Sequence, residues 1–137
     1  MRRGLAAAAL AAAVAVAVGG CFDVQSPDLF LLTRTDQGGK LSLLVNDGGT
    51  IRCNGAKAKP VSDSTLIAAR DLADNLATDA QNHLRIPRAA GSVYYFTIKL
   101  QQGTISFPDR AAATRKVLAQ AELFAAQTAQ KECGRAG

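Results

Sequence analysis

Apolar positions fall into different periods along the chain. Residues 5–18 are Ala, Val and Leu without interruption, a run of fourteen. A helix needs about 20 such residues to cross the hydrocarbon core of a bilayer, so this run is short for a permanent span. From residue 28 the apolar segments are brief and broken by turn chemistry. Residues 28–33 (Asp-Leu-Phe-Leu-Leu-Thr) read as a buried strand, and residues 34–39 as a turn. Residues 40–45 alternate, with Leu41, Leu43 and Val45 on one face and Ser42 and Leu44 on the other. Asn46-Asp47-Gly48-Gly49 predicts a hairpin with two residues at positive φ, and residues 50–54 form a third strand. Three strands joined by tight turns predict an antiparallel meander.

The pattern then changes. Residues 55–61 read as a loop ending in Pro60, and Ser62, Asp63 and Ser64 are N-cap candidates. Leu66, Ala69, Leu72, Ala73, Leu76, Ala80 and Leu84 recur at helical spacing, which predicts a helix over 64–83. Arg70 and Asp74 stand four apart on its wet side as a weak stabilising pair. Pro87 and Gly91 break the helix. Residues 92–100 alternate again, Tyr94, Phe96, Ile98 and Leu100 opposing Val93, Tyr95, Thr97 and Lys99. Residues 101–103 turn the chain into a returning strand over 104–107. Pro108-Asp109 predicts the start of a second helix with Asp109 as cap and a stripe of Ala113, Val117, Ala121, Phe124 and Ala125. Gly134 suits the position after its end. The order β-β-β-α-β-β-α predicts an α+β fold, an antiparallel sheet with two helices on one face. Residues 29–134 form a single domain in this reading, with a short tail over 135–137.

The front of the chain carries an address. Arg2 and Arg3 precede the apolar run, and Val18-Gly19-Gly20-Cys21 follows it. Positive charge, a short apolar stretch and small residues make a secretory signal. The final four residues resemble the lipobox of bacterial lipoproteins: an aliphatic residue, two small residues that let a peptidase reach the backbone, and a Cys. The resemblance implies that residues 1–20 are a signal peptide. It also implies that the Cys21 thiol takes a diacylglyceryl group and palmitate-type acylation. The mature protein is then extracytoplasmic, held to a bacterial membrane by lipid at Cys21. One acyl chain gives marginal binding and two or more hold stably. Residues 21–28 act as a tether, and seven residues reach at most about 23 Å.

Charge and cysteines refine this picture. The sixteen Lys and Arg include Arg2 and Arg3, so fourteen remain beyond the signal against eleven Asp and Glu, a net charge near +3. The basic residues are scattered and form no run. Such a balance allows a mild attraction to anionic headgroups or wall polymers. It gives no reason to expect nucleic acid, for which no binding motif is present. With Cys21 assigned to lipid, Cys53 and Cys133 remain in an oxidising compartment and are expected to pair as a disulfide. Two cysteines and the single His83 lack zinc spacing, and no metal or cofactor is expected.

Side chains with chemical potential have ordinary explanations. His83 has no nucleophile assigned to it by spacing, and a cation suits its predicted place at a helix end. Asp71, Asp74 and Asp79 lie on the first predicted helix, and Asp71 and Asp74 fit a solvated face better than a pair of apposed acids. The glycines at 38, 39, 48 and 49 are hairpin residues, without phosphate-loop spacing. Tyr94 faces inward and Tyr95 outward. Residues 34–39 (Arg-Thr-Asp-Gln-Gly-Gly) and 93–98 (Val-Tyr-Tyr-Phe-Thr-Ile) resemble, in pattern over about 100 residues, the emfourin-type inhibitors of thermolysin-like metallopeptidases. That resemblance implies a small α+β domain and a secreted peptidase as partner. The chain is expected to be a lipid-anchored, non-enzymatic envelope protein with a small binding domain. A surface peptidase inhibitor is the alternative reading and an unrecognised hydrolase the third. Gly38, Gly39, Asp47, Gly48 and Tyr95 are the candidate partner contacts.

Overall fold

The structure is a computed structural model that describes residues 24–134. Six strands form one sheet: β1 (Asp28–Thr35), β2 (Lys40–Asn46), β3 (Thr50–Cys53), β4 (Lys59–Pro60), β5 (Tyr95–Leu100) and β6 (Gly103–Pro108). Their order is β4-β3-β2-β1-β5-β6, with every neighbouring pair antiparallel. The fold is α+β, as the hydrophobic pattern predicts. Alternation sends Phe30, Leu32, Leu43, Val45, Ile98 and Phe107 to one face, where each is fully buried. Helices α1 (Asp63–Gln81) and α2 (Lys116–Lys131) cover that face. Ala69, Ala80, Ala121, Ala125 and Ala129 bring the helix backbones close, while Leu72, Leu76, Leu118 and Phe124 fill the space between. Burying each such large side chain contributes about 1.5–3 kcal/mol. Phe124 meets Phe30 edge-on, with ring centroids 5.5 Å apart, and Phe96 stacks on Phe107 at 5.1 Å.

The two helices run antiparallel. Lys131 and Glu132 meet Ser64 and Thr65, Gln120 meets Asn75, and Arg115 meets Asp79, so the end of each helix lies beside the start of the other. No helix among the described residues is long and apolar enough to cross a membrane. Helix α1 starts where Ser62 Oγ accepts from the Thr65 backbone N–H. It ends in a paired closure: the His83 N–H donates to the Ala80 carbonyl and the Leu84 N–H to the Asp79 carbonyl. That double bond pattern needs a left-handed residue in the middle, and His83 supplies it at φ 51°. Gly103, which follows the β5–β6 turn, lies against the same helix end. A Cβ there would come within 2.1 Å of the Ala80 oxygen, so only glycine lets the hairpin pack on α1.

Several local expectations are corrected. The predicted loop over 55–61 contains β4, whose Lys59 and Pro60 pair with Ile51 and Thr50; proline is tolerated there because the strand is an edge. The β2–β3 turn places only Gly49 at positive φ (93°), with its N–H donating to the Asn46 carbonyl. A three-residue turn with one left-handed glycine thus replaces the expected pair of positive-φ residues. Strand β5 begins at Tyr95 rather than 92. Asp109 begins a 3-10 turn (Asp109–Ala113), and α2 starts only at Lys116, after an extended Arg115 (φ −132°, ψ 108°). Asp109 is drawn away from helix capping because its carboxylate accepts from the Val93 and Tyr94 backbones as well as from Arg110. The later start shifts the stripe: Leu118 is buried and Ala113 exposed. Arg70 bonds Asp47 rather than Asp74, its Nε lying 2.7 Å from the Asp47 carboxylate. Gly134 does take left-handed backbone (φ 63°), two residues past the Glu132 cap.

Candidate functional site

The helices leave the second face of the sheet uncovered, and strand register dictates what it presents. One row crosses four strands as Arg52, Leu44, Leu31 and Lys99, each paired with the next. The adjoining row is Ser42, Thr33, Thr97 and Ser106, with the Thr97 and Ser106 hydroxyls 3.4 Å apart. Beyond Ser106 the segment after α1 runs along the sheet edge, the Ile86 N–H donating to the Ser106 carbonyl and the Ser106 N–H to Leu84. A parallel bridge there pairs Arg85 with Ser106, which puts Arg85 on the same face. A third row holds Lys40, Thr35 and Tyr95. The Tyr95 hydroxyl donates to the Ile86 carbonyl at 3.0 Å, and the Arg88 guanidinium lies 4.8 Å over its ring while Nη2 donates to Thr35 Oγ1.

Charge on the two sides differs. Lys40, Arg52, Arg85, Arg88 and Lys99 share the open face. The carboxylate on it, Asp28, accepts from Asn46 Nδ2 at 3.0 Å, and Asp36 sits at its rim, accepting from the Gly38 N–H. The ion pairs among the described residues are Arg70–Asp47 and Arg115–Asp79, so none of the five cations has a carboxylate partner. The helices and their caps carry Asp63, Asp71, Asp74, Asp79, Glu122 and Glu132 against Arg70, Arg115, Lys116 and Lys131.

The candidate contacts do not gather into one patch. Gly38 and Gly39 lie in the β1–β2 turn, and Asp47 and Gly48 in the β2–β3 turn, at the opposite end of β2. Asp47 is held by Arg70, whose Nη2 also donates to its backbone carbonyl at 3.0 Å. Tyr95 lies nearer the first turn, opposite Thr35, and is half-buried under Arg88. His83 is exposed at the end of α1. Cys21 lies outside the described residues. Cys53 and Cys133 form a disulfide, with Cα atoms 5.8 Å apart, and Cys133 falls just beyond the end of α2.

Sequence patterning gives little notice of the carboxylates that tertiary packing perturbs. Glu122 on α2 has a buried Oε1 with no hydrogen-bond partner. Burial, and then the charge of Asp109, push its carboxyl up to about 7. Asp109 itself is held below the usual carboxylate range: burial acts upward, but the donated N–H groups of Val93, Tyr94 and Arg110 outweigh it. One signal exists in the sequence: the helical neighbours of Glu122 at three and four residues are Leu118, Ala119, Ala125 and Ala126, so it has no local cation. Two acids with values driven apart are the raw material of acid–base chemistry. Neither, however, lines the groove of about 570 Å³ between α1 and α2, whose walls include Thr65, Phe124, Thr128 and Lys131. Beside that groove Glu132 accepts from Thr65 Oγ1 (2.8 Å) and from both Ser62 N–H and Oγ. Burial acts against its charge, yet these bonds hold the carboxyl below its ordinary value. Its negative charge faces the positive end of the α1 dipole.

No family model, curated protein or solved structure matches the chain.

Proposed function

We propose that this is a lipid-anchored cell-envelope protein whose small domain binds a partner and catalyses no reaction. The anchoring half of the reading is carried by Arg2-Arg3, the apolar run and Val18-Gly19-Gly20-Cys21. The binding half is supported by the one-sided sheet, whose open face offers cations and hydroxyls without internal carboxylate partners. Lipid at Cys21 holds the domain at an extracytoplasmic membrane surface, where the partners within reach are the lipid itself and other envelope proteins. Fatty-acid labelling followed by membrane fractionation tests the anchor. The wild-type chain takes the label and sediments with membranes, and Cys21→Ser loses the label and leaves the membrane fraction. Undiminished labelling of Cys21→Ser overturns the reading.

A second reading, a surface inhibitor of a secreted peptidase, draws on one observation. The two segments that resemble emfourin-type inhibitors lie side by side, Thr35 paired with Tyr95 and Arg34 with Phe96. Inhibition of a thermolysin-like enzyme by the chain, abolished by changes at Gly38 and Gly39, is the outcome that favours it.

A further inference from the structure

We infer that the open face of the sheet is the surface on which the domain lies against anionic phospholipid headgroups. This rests on the anchored reading above and adds an orientation to it. Five cations, Lys40, Arg52, Arg85, Arg88 and Lys99, come from four separate chain segments and meet on one face only because the strand register brings them there. None is neutralised by a carboxylate among the described residues. The hydroxyl row of Ser42, Thr33, Thr97 and Ser106 lies among them and supplies short donors for phosphate oxygens. Arg52 and Lys99 flank Leu44 and Leu31, an apolar pair that suits the boundary between headgroups and acyl chains. The acids of α1 and α2 are on the opposite side of the core. An anionic leaflet therefore attracts the open face more strongly than the helix side, where acids and bases are near balance.

Range matters as much as sign. A charged surface is screened within about 8 Å at physiological salt, so free diffusion rarely brings the face into the field. Asp28, the first residue of β1, is the seventh residue after Cys21, a reach of at most about 23 Å. The tether keeps the local concentration of headgroups high, and the face then selects the side that turns down. Each basic residue at an anionic surface favours docking by about fivefold, so two in contact give about 25-fold.

The test reads lysine acetylation, residue by residue, on the full chain in vesicles of phosphatidylcholine alone and of phosphatidylcholine with phosphatidylglycerol. Lys40 and Lys99 are expected to react at least about tenfold more slowly in the anionic vesicles, while Lys116 and Lys131 react alike in both. The double variant Arg52→Gln/Arg85→Gln should return most of the lost reactivity. Equal rates at Lys40 and Lys99 in the two vesicles overturn the inference. So does protection that appears only when a soluble polyanion is added to neutral vesicles, which assigns the face to a wall polymer instead. The mass of the Cys21 peptide in the same samples reads the anchor separately: an unmodified thiol with Lys40 and Lys99 protected removes the lipid anchor and leaves the face.

Discussion

His83, as the single histidine, attracts a catalytic reading, and the backbone explains it differently. The double closure of α1 requires one left-handed residue, and His83 occupies that place with φ 51°. An L-residue there is strained by about 1–2 kcal/mol relative to the right-handed form, a penalty that glycine escapes. His83→Gly is therefore expected to stabilise the protein by about 1 kcal/mol, read as a higher urea midpoint at unchanged slope. The imidazole is exposed, so no buried contact is lost. A destabilised variant would show that the side chain does something the turn does not require. The same helix end explains Gly103, where a Cβ would collide with the Ala80 carbonyl oxygen. From the sequence, Gly103 reads as turn chemistry and His83 as a residue suited to the dipole. Neither the left-handed backbone nor the close approach leaves a mark in composition.

The elements differ in legibility for physical reasons. Strand β1 is readable as a short apolar run and β2 and β3 as strands bounded by Asn, Asp and Gly turns, and α1 because its stripe is long and carries a cap. Strand β4 is two residues long with a proline, too short for any period. The start of α2 misleads: Pro-Asp before an alanine-rich run is a helix signal, but Asp109 is claimed by the Val93 and Tyr94 backbones, a contact made across 15 residues or more. Arg70 shows the same competition, its local partner Asp74 losing to Asp47, 23 residues away. The disulfide was legible from the cysteine count and the compartment that the lipobox resemblance implies. It joins the end of β3 to the end of α2 across 80 residues, and a loop of that length corresponds to about 4 kcal/mol of chain entropy. Replacing both cysteines by serine should lower stability by up to that amount. The loosening should concentrate where α2 ends against the start of α1, at Glu132, Ser62 and Thr65. Hydrogen exchange should accelerate at residues 62–66 and 128–132 before the sheet opens. Uniform acceleration through the sheet would show that the bridge supports the whole fold rather than this corner.

At the scale of the molecule the sheet gathers cations on its open face, and no one-dimensional pattern announces it. Lys40, Arg52, Arg85, Arg88 and Lys99 are scattered in sequence and become neighbours only through register. The carboxylates on the helix side set how stability responds to pH. Asp109 and Glu132 are held below their unfolded values of 3.8 and 4.5. Each therefore contributes stability that is present above the unfolded value and lost as pH falls through the folded one. Glu122 has the opposite sign. Its folded carboxyl is raised from 4.5 to about 7, so between these values the native state holds a proton that the unfolded chain has released. Stability then falls as pH rises across that window and levels above it. Together the three place the optimum at weakly acidic pH, near the lower end of the window. Partial solvent screening reduces the Glu122 contribution to about 1 kcal/mol, or about 4 °C in Tm for a domain of this size. Melting at pH 5 and pH 8 should show the wild-type chain lower at pH 8 by about that amount. Glu122→Gln, which removes the titration and keeps the shape, should melt at nearly the same temperature in both. An identical drop in the two proteins would assign the slope to another group and leave the buried Oε1 without a role in pH stability.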